Sequence, residues 1–318
     1  MSEPVKIGVV GVGYLGSIHA QIYTRLSDVT LVGVNDVNSD VGKRVAVDCG
    51  CDFYSDVDQL ADSVDAVSVV VPTSCHREVS LPFLHRGIPV LLEKPVAHTL
   101  DDARLIVNEA EQSGAILQIG HLERFNAGVV RLHKELDRPR FIEVHRLSEF
   151  VERATDVDVV TDLMIHDIDI VLSLVRSELK YVSAVGASIV TNHVDIANAR
   201  LEFEDGAIAN VTASRVSAKR FRRIRVFADA CYLALNFEDQ QIEISRPGKR
   251  PPDGRFAPII NSSIQVEPTP PLDSELAHFV DCVRKGKQPL VTGSDGLQAL
   301  KVAYDVREKI EKSLHSFV

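Results

Sequence analysis

Two textures of hydrophobic patterning divide this chain. Over the first 120 residues, short, mainly apolar runs at 5–10, 30–34, 66–71, 89–92 and 115–119 alternate with longer stretches whose apolar positions recur at helical spacing. The runs read as strands buried on both faces and the intervening stretches as helices that cover them, the pattern of a doubly wound parallel sheet. Punctuation agrees. Gly87 closes a helix predicted over 76–86, and Thr99, with Asp102 three residues on, opens another that ends at Gly114. From about residue 140 the period shortens to two, at 141–147, 197–203, 207–213, 224–227 and 232–237, which predicts a mostly antiparallel sheet with one face covered. The proline- and glycine-rich stretch 246–271 reads as loop, and 273–285 and 294–313 as two closing helices.

Length and charge narrow the picture. A chain of 318 residues is too long for a single core, so the change of texture is taken as a domain boundary, with one domain over 1–120 and a second over 121–318. The second is expected to be α+β and to serve substrate binding and assembly into a homo-oligomer, dimer or tetramer, with the closing helix able to pack back on the first. No apolar run approaches the ~20 residues of a membrane span. A net charge of −10 argues against nonspecific nucleic-acid binding, which draws on lysine and arginine. The five cysteines are odd in number and form no CxxC pair, against a disulfide framework or a zinc site. The first strand begins so near the N-terminus that no signal peptide fits before it, and a cytoplasmic location is the expectation. One basic cluster stands out, Arg215, Lys219, Arg220, Arg222, Arg223 and Arg225. It reads chiefly as a solvated strand face or an oligomer contact, with part of it suited to an anionic ligand such as a diphosphate.

The first strand runs straight into Gly11, Gly13 and Gly16 and then into a helix. Glycines so spaced allow a tight turn, close approach of a pyrophosphate to the backbone, and close packing of helix on strand, although glycine-rich turns also serve ordinary strand-to-helix joints. The second strand ends at Asp36, twenty residues after Gly16, where a carboxylate accepts from both hydroxyls of an adenosine ribose and repels a 2′-phosphate. NAD is therefore favoured over NADP. The other reading of Asp36 is a turn cap, and Lys43 and Arg44 nearby leave room for both cofactors.

In such sheets ligands bind beyond the carboxyl ends of the strands, which brings forward Pro72-Thr73-Ser-Cys-His76, Glu93-Lys94-Pro95 and His121-Leu-Glu-Arg124-Phe-Asn126. Lys94 attracts most interest, since a partly desolvated ammonium beside a nicotinamide stabilises alkoxide character at a carbinol oxygen; a Glu-Lys-Pro triplet alone is commonly a surface turn. Farther on, Asp162, His166, Asp169 and Ser173 line one side of a predicted helix, opposite Met164, Ile165, Ile168, Val171, Leu172 and Val175. That stripe faces water unless His166 serves as a base with Asp162 one turn away. No third ligand accompanies the pair, so no metal is expected.

Taken together, Gly11-Val-Gly13-Tyr14-Leu15-Gly16 with His19, the Glu93-Lys94-Pro95 triplet and the Asp162-x-x-x-His166 pair resemble the Gfo/Idh/MocA oxidoreductases, over essentially the whole chain. The stretches 272–285 and 293–296 resemble that family too. The resemblance implies a Rossmann domain and an NAD-dependent dehydrogenase acting on the CH–OH of a sugar or sugar derivative. Lys94, Asp162 and His166 would then serve proton transfer and substrate alignment, with His166 as the acid/base. Gly11, Gly13, Tyr14, Leu15, Gly16 and Asp36 would hold the cofactor, with Pro72, Thr73, His76, Glu93 and Lys94 near the nicotinamide. His121, Arg124, Asn126 and Arg220 would join Asp162 and His166 toward the substrate. Members with arginine-rich motifs after the second strand use NADP, and Asp36 departs from that pattern. The stretches 121–126 and 162–169 look closer to enzymes of amino-sugar nucleotide synthesis than to inositol dehydrogenases, which implies a nucleotide sugar such as UDP-N-acetylglucosamine oxidised at C3. An inositol, polyol or free sugar is the alternative substrate. A non-catalytic NAD-binding regulator is the alternative class, against which the retained Lys94 and His166 speak. The expectation is that Lys94 and His166 converge on one carbon beside the pyridine ring.

Overall fold

The computed structural model describes residues 3–151, 157–252, 254 and 256–315. Contacts divide the chain into two units, Met1–Leu122 with Pro270–Gln298, and Glu123–Thr269 with Ala299–Val318. The crossing at Leu122/Glu123 lies two residues from the boundary predicted from texture. Residues 270–298, placed by sequence in the second domain, belong to the first unit.

The first unit comprises β1 (Val5–Val10), α1 (Tyr14–Tyr23), β2 (Val29–Asn35), α2 (Ser39–Cys49), β3 (Asp52–Phe53), α3 (Val57–Ala61), β4 (Ala66–Val69), α4 (His76–His85), β5 (Val90–Glu93), α5 (Leu100–Ser113) and β6 (Leu117–Gly120). The strands are all parallel in the order β3-β2-β1-β4-β5-β6, so the winding reverses between β1 and β4, and ligands bind beside such a switch. Every residue of β4, β5 and β6 is buried, which is why these strands read as mainly apolar runs rather than alternations, with Ser68, Glu93 and Gln118 as buried polar exceptions. Side chains set the helix starts. Asn38 accepts from the amides of Asp40 and Val41, and Thr99 accepts from the Asp102 amide at 3.1 Å while its hydroxyl donates to the Asp102 carboxylate at 2.8 Å.

The second unit comprises α6 (Ala127–Glu135), β7 (Pro139–Leu147), α7 (Ile165–Leu174), β8 (Leu179–Ala187), β9 (Ile196–Phe203), β10 (Ile208–Ser214), β11 (Phe221–Ala228), β12 (Cys231–Asn236), β13 (Gln241–Pro247) and β14 (Ile259–Gln265). The order is β14-β13-β12-β11-β7-β10-β9-β8, antiparallel except for the β7/β10 pair. The period-two expectation corresponds to the inward residues Ile142 and Val144 on β7, Ala209, Val211 and Ala213 on β10, and Ile224 and Val226 on β11, all buried. α7 packs on β7 and β10, and α6 on β12 and β13. The stretch 246–271 departs from its reading as loop, because β14 lies within it and pairs with β13 along seven residues. β14 is an edge strand exposed at nearly every position, so it carries no alternation, and the prolines and glycines around it concealed the ladder.

Two helices complete the described chain, α8 (Pro271–Lys285) and α9 (Gly293–His315). Leu276, Phe279 and Val280 of α8 join the first unit's core with Val5, Ile7, Ala20 and Tyr23, giving that unit a helix distant in sequence from the rest of it.

Candidate active site

The glycine turn fits a dinucleotide. Gly11 sits at φ +83°, and a Cβ there would lie 2.7 Å from the Val70 carbonyl oxygen; at Gly16 it would lie 1.8 Å from the Gly11 carbonyl oxygen. No side chain can be added at either position without moving backbone. Gly13, by contrast, faces open space, and among the described residues no side chain caps α1, so amides at its start are available to a pyrophosphate. The two readings of Asp36 prove compatible. Its oxygens accept one each from the Val12 and Asn38 amides, both at 2.8 Å, which fixes a carboxylate that retains lone pairs for ribose hydroxyls.

Beyond β4 and β5 a set of buried polar side chains joins the strand ends. His76, almost fully buried, reaches the carbonyl oxygens of Pro95 and Val96 through Nδ1 at 3.0 and 3.2 Å and that of Val71 through Nε2 at 3.0 Å. Burial pushes its pKa down, the three carbonyls opposing. The ring thus lies between the loop after β4 and the loop after β5; a neutral ring donates to the carbonyls from one nitrogen only, and from both only when protonated. His19 on α1 lies with Nδ1 3.5 Å from the Ser68 hydroxyl and Nε2 3.4 Å from Glu93, while the Tyr23 hydroxyl meets Ser68 at 2.7 Å. Burial raises the Tyr23 phenol well above its usual range. Helix α1, which begins at the glycine turn, is in this way tied to the residue before Lys94. Lys94 is half-buried at the end of β5, its amide donating to the Glu93 carboxylate at 3.3 Å. Thr73 opens a single 3₁₀ turn to Cys75, and Pro72 before it is exposed.

In the second unit the helix carrying Asp162 and His166 begins with a π-helical turn, Val160–Met164, before α7 continues. The regular helical spacing that puts Asp162 on one side with His166, Asp169 and Ser173 therefore does not hold across Asp162. The polar side of α7 does not face water either. His166 is 8% exposed, Asp167 and Asp169 1% each, and Asp162 is half-buried. Buried carboxylates require partners, and these have them. Arg146 on β7 grips Asp167 with two parallel bonds of 2.8 and 2.7 Å and reaches Glu123 at 3.2 Å. Glu123 also receives Arg222 from β11, and Arg124 meets Asp169 at 3.3 Å. Burial would raise the Glu123 carboxyl, but Arg146 and Arg222 outweigh it and hold it below the ordinary range. Burial would likewise lower the Arg146 guanidinium, and Asp167 with Glu123 drives it up instead. Ser173, read as part of the stripe, turns to α6, where its hydroxyl lies 3.1 Å from His133.

Several sequence-predicted contacts are thus engaged within the protein. The Asn126 carboxamide caps α6 by accepting from the Gly128 amide at 3.0 Å, Arg124 is paired, and His121 is fully buried just past β6. Two members of the basic cluster, Arg215 and Arg222, are not part of a solvated face. Arg215 is buried against Asp195 at 3.0 Å, Arg223 pairs with Glu243 and Arg225 with Glu143, leaving Lys219 and Arg220 exposed in the turn before β11. The residues missed from sequence are Ser68 and Tyr23, which with His19 lie around Glu93, and Arg146, Glu123 and Asp167 beside His166. For the second group a signal existed: Arg146 occupies an inward position of an alternating strand, where a lone charge implies a buried partner. Among the described residues no group of three His, Cys, Asp or Glu side chains could hold a metal ion, and no helix is long and apolar enough to cross a membrane.

Comparison with known proteins agrees with this geometry. Residues 5–121 match the model of an oxidoreductase family with an NAD-binding Rossmann fold, and residues 98–233 match the Gfo/Idh/MocA C-terminal domain. A UDP-N-acetylglucosamine 3-dehydrogenase of Acidithiobacillus ferrooxidans is 33% identical over 98% of both chains, and a solved structure of that enzyme superposes with TM-score 0.90 over 98% of this chain and 99% of its own. A scyllo-inositol 2-dehydrogenase (NAD(+)) of Bacillus subtilis is 28% identical over 95% of this chain and 93% of its own. With a glycine cradle shaped for a pyrophosphate, a fixed acid for the ribose and this likeness along its whole length, the chain belongs to the Gfo/Idh/MocA family and is an NAD-binding oxidoreductase.

Proposed function

We propose that the protein is a dehydrogenase of a nucleotide sugar, oxidising a secondary ring hydroxyl of a compound such as UDP-N-acetylglucosamine, at C3, to the ketone. The full-length likeness to the A. ferrooxidans enzyme carries this reading. Bound NAD supplies the acceptor for the hydride that leaves the carbinol carbon. The chain's own groups manage the proton and the charge. The His166 imidazole takes the hydroxyl proton, Asp162 aligns the ring by accepting from a neighbouring hydroxyl, and the Lys94 ammonium stabilises the negative charge that grows on oxygen as the C–H bond breaks. The half-burial of Lys94 supports that role, since charge stabilisation strengthens as water is excluded. The inositol dehydrogenase of B. subtilis supports a second reading, in which the substrate is a free cyclic polyol.

The test is absorbance of the reduced nicotinamide when the protein and NAD meet UDP-N-acetylglucosamine, N-acetylglucosamine, myo-inositol and scyllo-inositol in separate reactions. Turnover confined to the nucleotide sugar supports the proposal, and turnover of an inositol alone replaces it with the second reading. Lys94→Ala is expected to lower kcat about 10²- to 10⁴-fold while NAD affinity changes only a few-fold. An unchanged kcat removes Lys94 from the chemistry.

A further inference from the structure

We propose that Glu123, Arg124, Arg146, Asp167, Asp169 and Arg222 form a charge-balanced frame that fixes the orientation and the protonation of His166, with Arg146 and Glu123 as its positioning residues. The inference rests on the reading of His166 as the proton acceptor. Three carboxylates face three guanidiniums in this set, and the members other than Arg222 have side chains no more than 10% exposed. Two of the carboxylates follow His166 in sequence, Asp167 directly after it and Asp169 three residues on, in the same helix. The counter-charges come from elsewhere: Arg124, with Glu123, from the 3₁₀ turn Leu122–Phe125, Arg146 from β7 and Arg222 from β11. Adjacent residues of one turn thus grip α7 twice, Glu123 through Arg146 onto Asp167, and Arg124 directly onto Asp169.

Stability alone does not account for such a set. A buried ion pair returns in attraction about what desolvation costs, and apolar packing would serve as well. A guanidinium fork on a carboxylate differs from apolar packing in fixing direction, because two parallel bonds of 2.7 and 2.8 Å set the plane and rotation of Asp167, and with it the turn that carries His166. Beyond the frame, the Lys94 ammonium that the proposed chemistry brings to the same carbinol oxygen also acts on the imidazole, as do the groups on elements packed against α7. β10 offers α7 only Ala209, Val211 and Ala213, and the inward side of β7 offers Ile142 and Val144 beside Arg146. The π-helical turn adds Asp162, the residues before it add Asp158, held by Arg307 of α9 at 3.2 Å, and α6 adds His133 at the far end of the helix. With the six charges summing to zero, removal of one leaves an uncompensated charge near the imidazole.

The experiment is an NMR titration of the histidine ring nitrogens in the full-length protein, the His166 signals being assigned by their loss in His166→Gln. Arg146→Gln leaves excess negative charge and is expected to raise the His166 titration point by about half a pH unit or more, and Glu123→Gln to lower it by a similar amount. The double variant restores balance and returns the point to the parent's. Arg146→Lys keeps the charge and loses the fork, so it should hold the titration point while the ring exchanges between its two tautomers. Arg222→Gln, in the least buried member, repeats the upward shift if an Arg146 variant does not fold. Titration unmoved by these changes, or moved in the same direction by Arg146→Gln or Arg222→Gln as by Glu123→Gln, overturns the frame. If His166 responds as described while His166→Gln still oxidises UDP-N-acetylglucosamine, the frame stands and the assignment of His166 as base falls instead.

Discussion

The two units bury polar groups by different means. At the strand ends of the first, hydroxyls and an imidazole meet one another and one acid, Glu93, while a second imidazole, His76, meets backbone carbonyls. Beside α7 in the second, carboxylates are matched to guanidiniums. Neutral groups cost less to desolvate than ions and here bond one another and the backbone of the loops past the strand ends, so they suit holding a glycine turn and a strand end in place. Ions are costly to bury singly and strongly directional when paired, so they suit the orientation of a helix against a sheet whose backbone is already spent on its own ladder. Loss of one partner should therefore matter far more in the second unit than in the first.

The largest expected effect breaks the ionic set. Arg146→Ala leaves Asp167 without its fork, and urea unfolding should show about 3–5 kcal/mol of lost stability. Next comes a change of backbone rather than of a bond. At Gly16 an added methyl overlaps the Gly11 carbonyl, so Gly16→Ala should weaken NAD binding at least about tenfold, ~1.4 kcal/mol, in a fluorescence titration. Tyr23→Phe removes only the bond to Ser68 and should cost about 1 kcal/mol, a fall in Tm of roughly 2–4 °C. A Tyr23→Phe loss equal to that of Arg146→Ala would erase the distinction between the units.

The smallest effect concerns pH. Burial, with Arg124 and Arg176 nearby, pushes His133 down to about 4. Because that lies below the unfolded value of about 6.5, the unfolded chain takes the proton first. The stability owed to the neutral ring is therefore complete above pH 6.5 and lost as pH falls towards 4. His133→Gln should flatten Tm against pH across that window, and an unchanged slope would place the acid sensitivity elsewhere.

The sequence by itself determined the parallel sheet, the glycine cradle, Asp36 and the position of Lys94, because each is written locally. A strand buried on both faces favours a mainly apolar run, a left-handed turn favours glycine, and a residue at a strand's carboxyl end is placed by the strand. Tertiary structure alone decided which polar residues are spent inside the protein. His76, Asn126, Arg124, Arg215 and Arg222 read as ligand contacts or surface until their partners, many of them distant in sequence, are known. β14 escaped notice for the same reason, since an exposed edge strand is defined by the neighbour it pairs with and not by any periodicity of its own. Periodicity and turn chemistry act between near neighbours and leave a mark on the chain, whereas partnership between residues such as Arg146 and Asp167 forms only when folding brings β7 and α7 together.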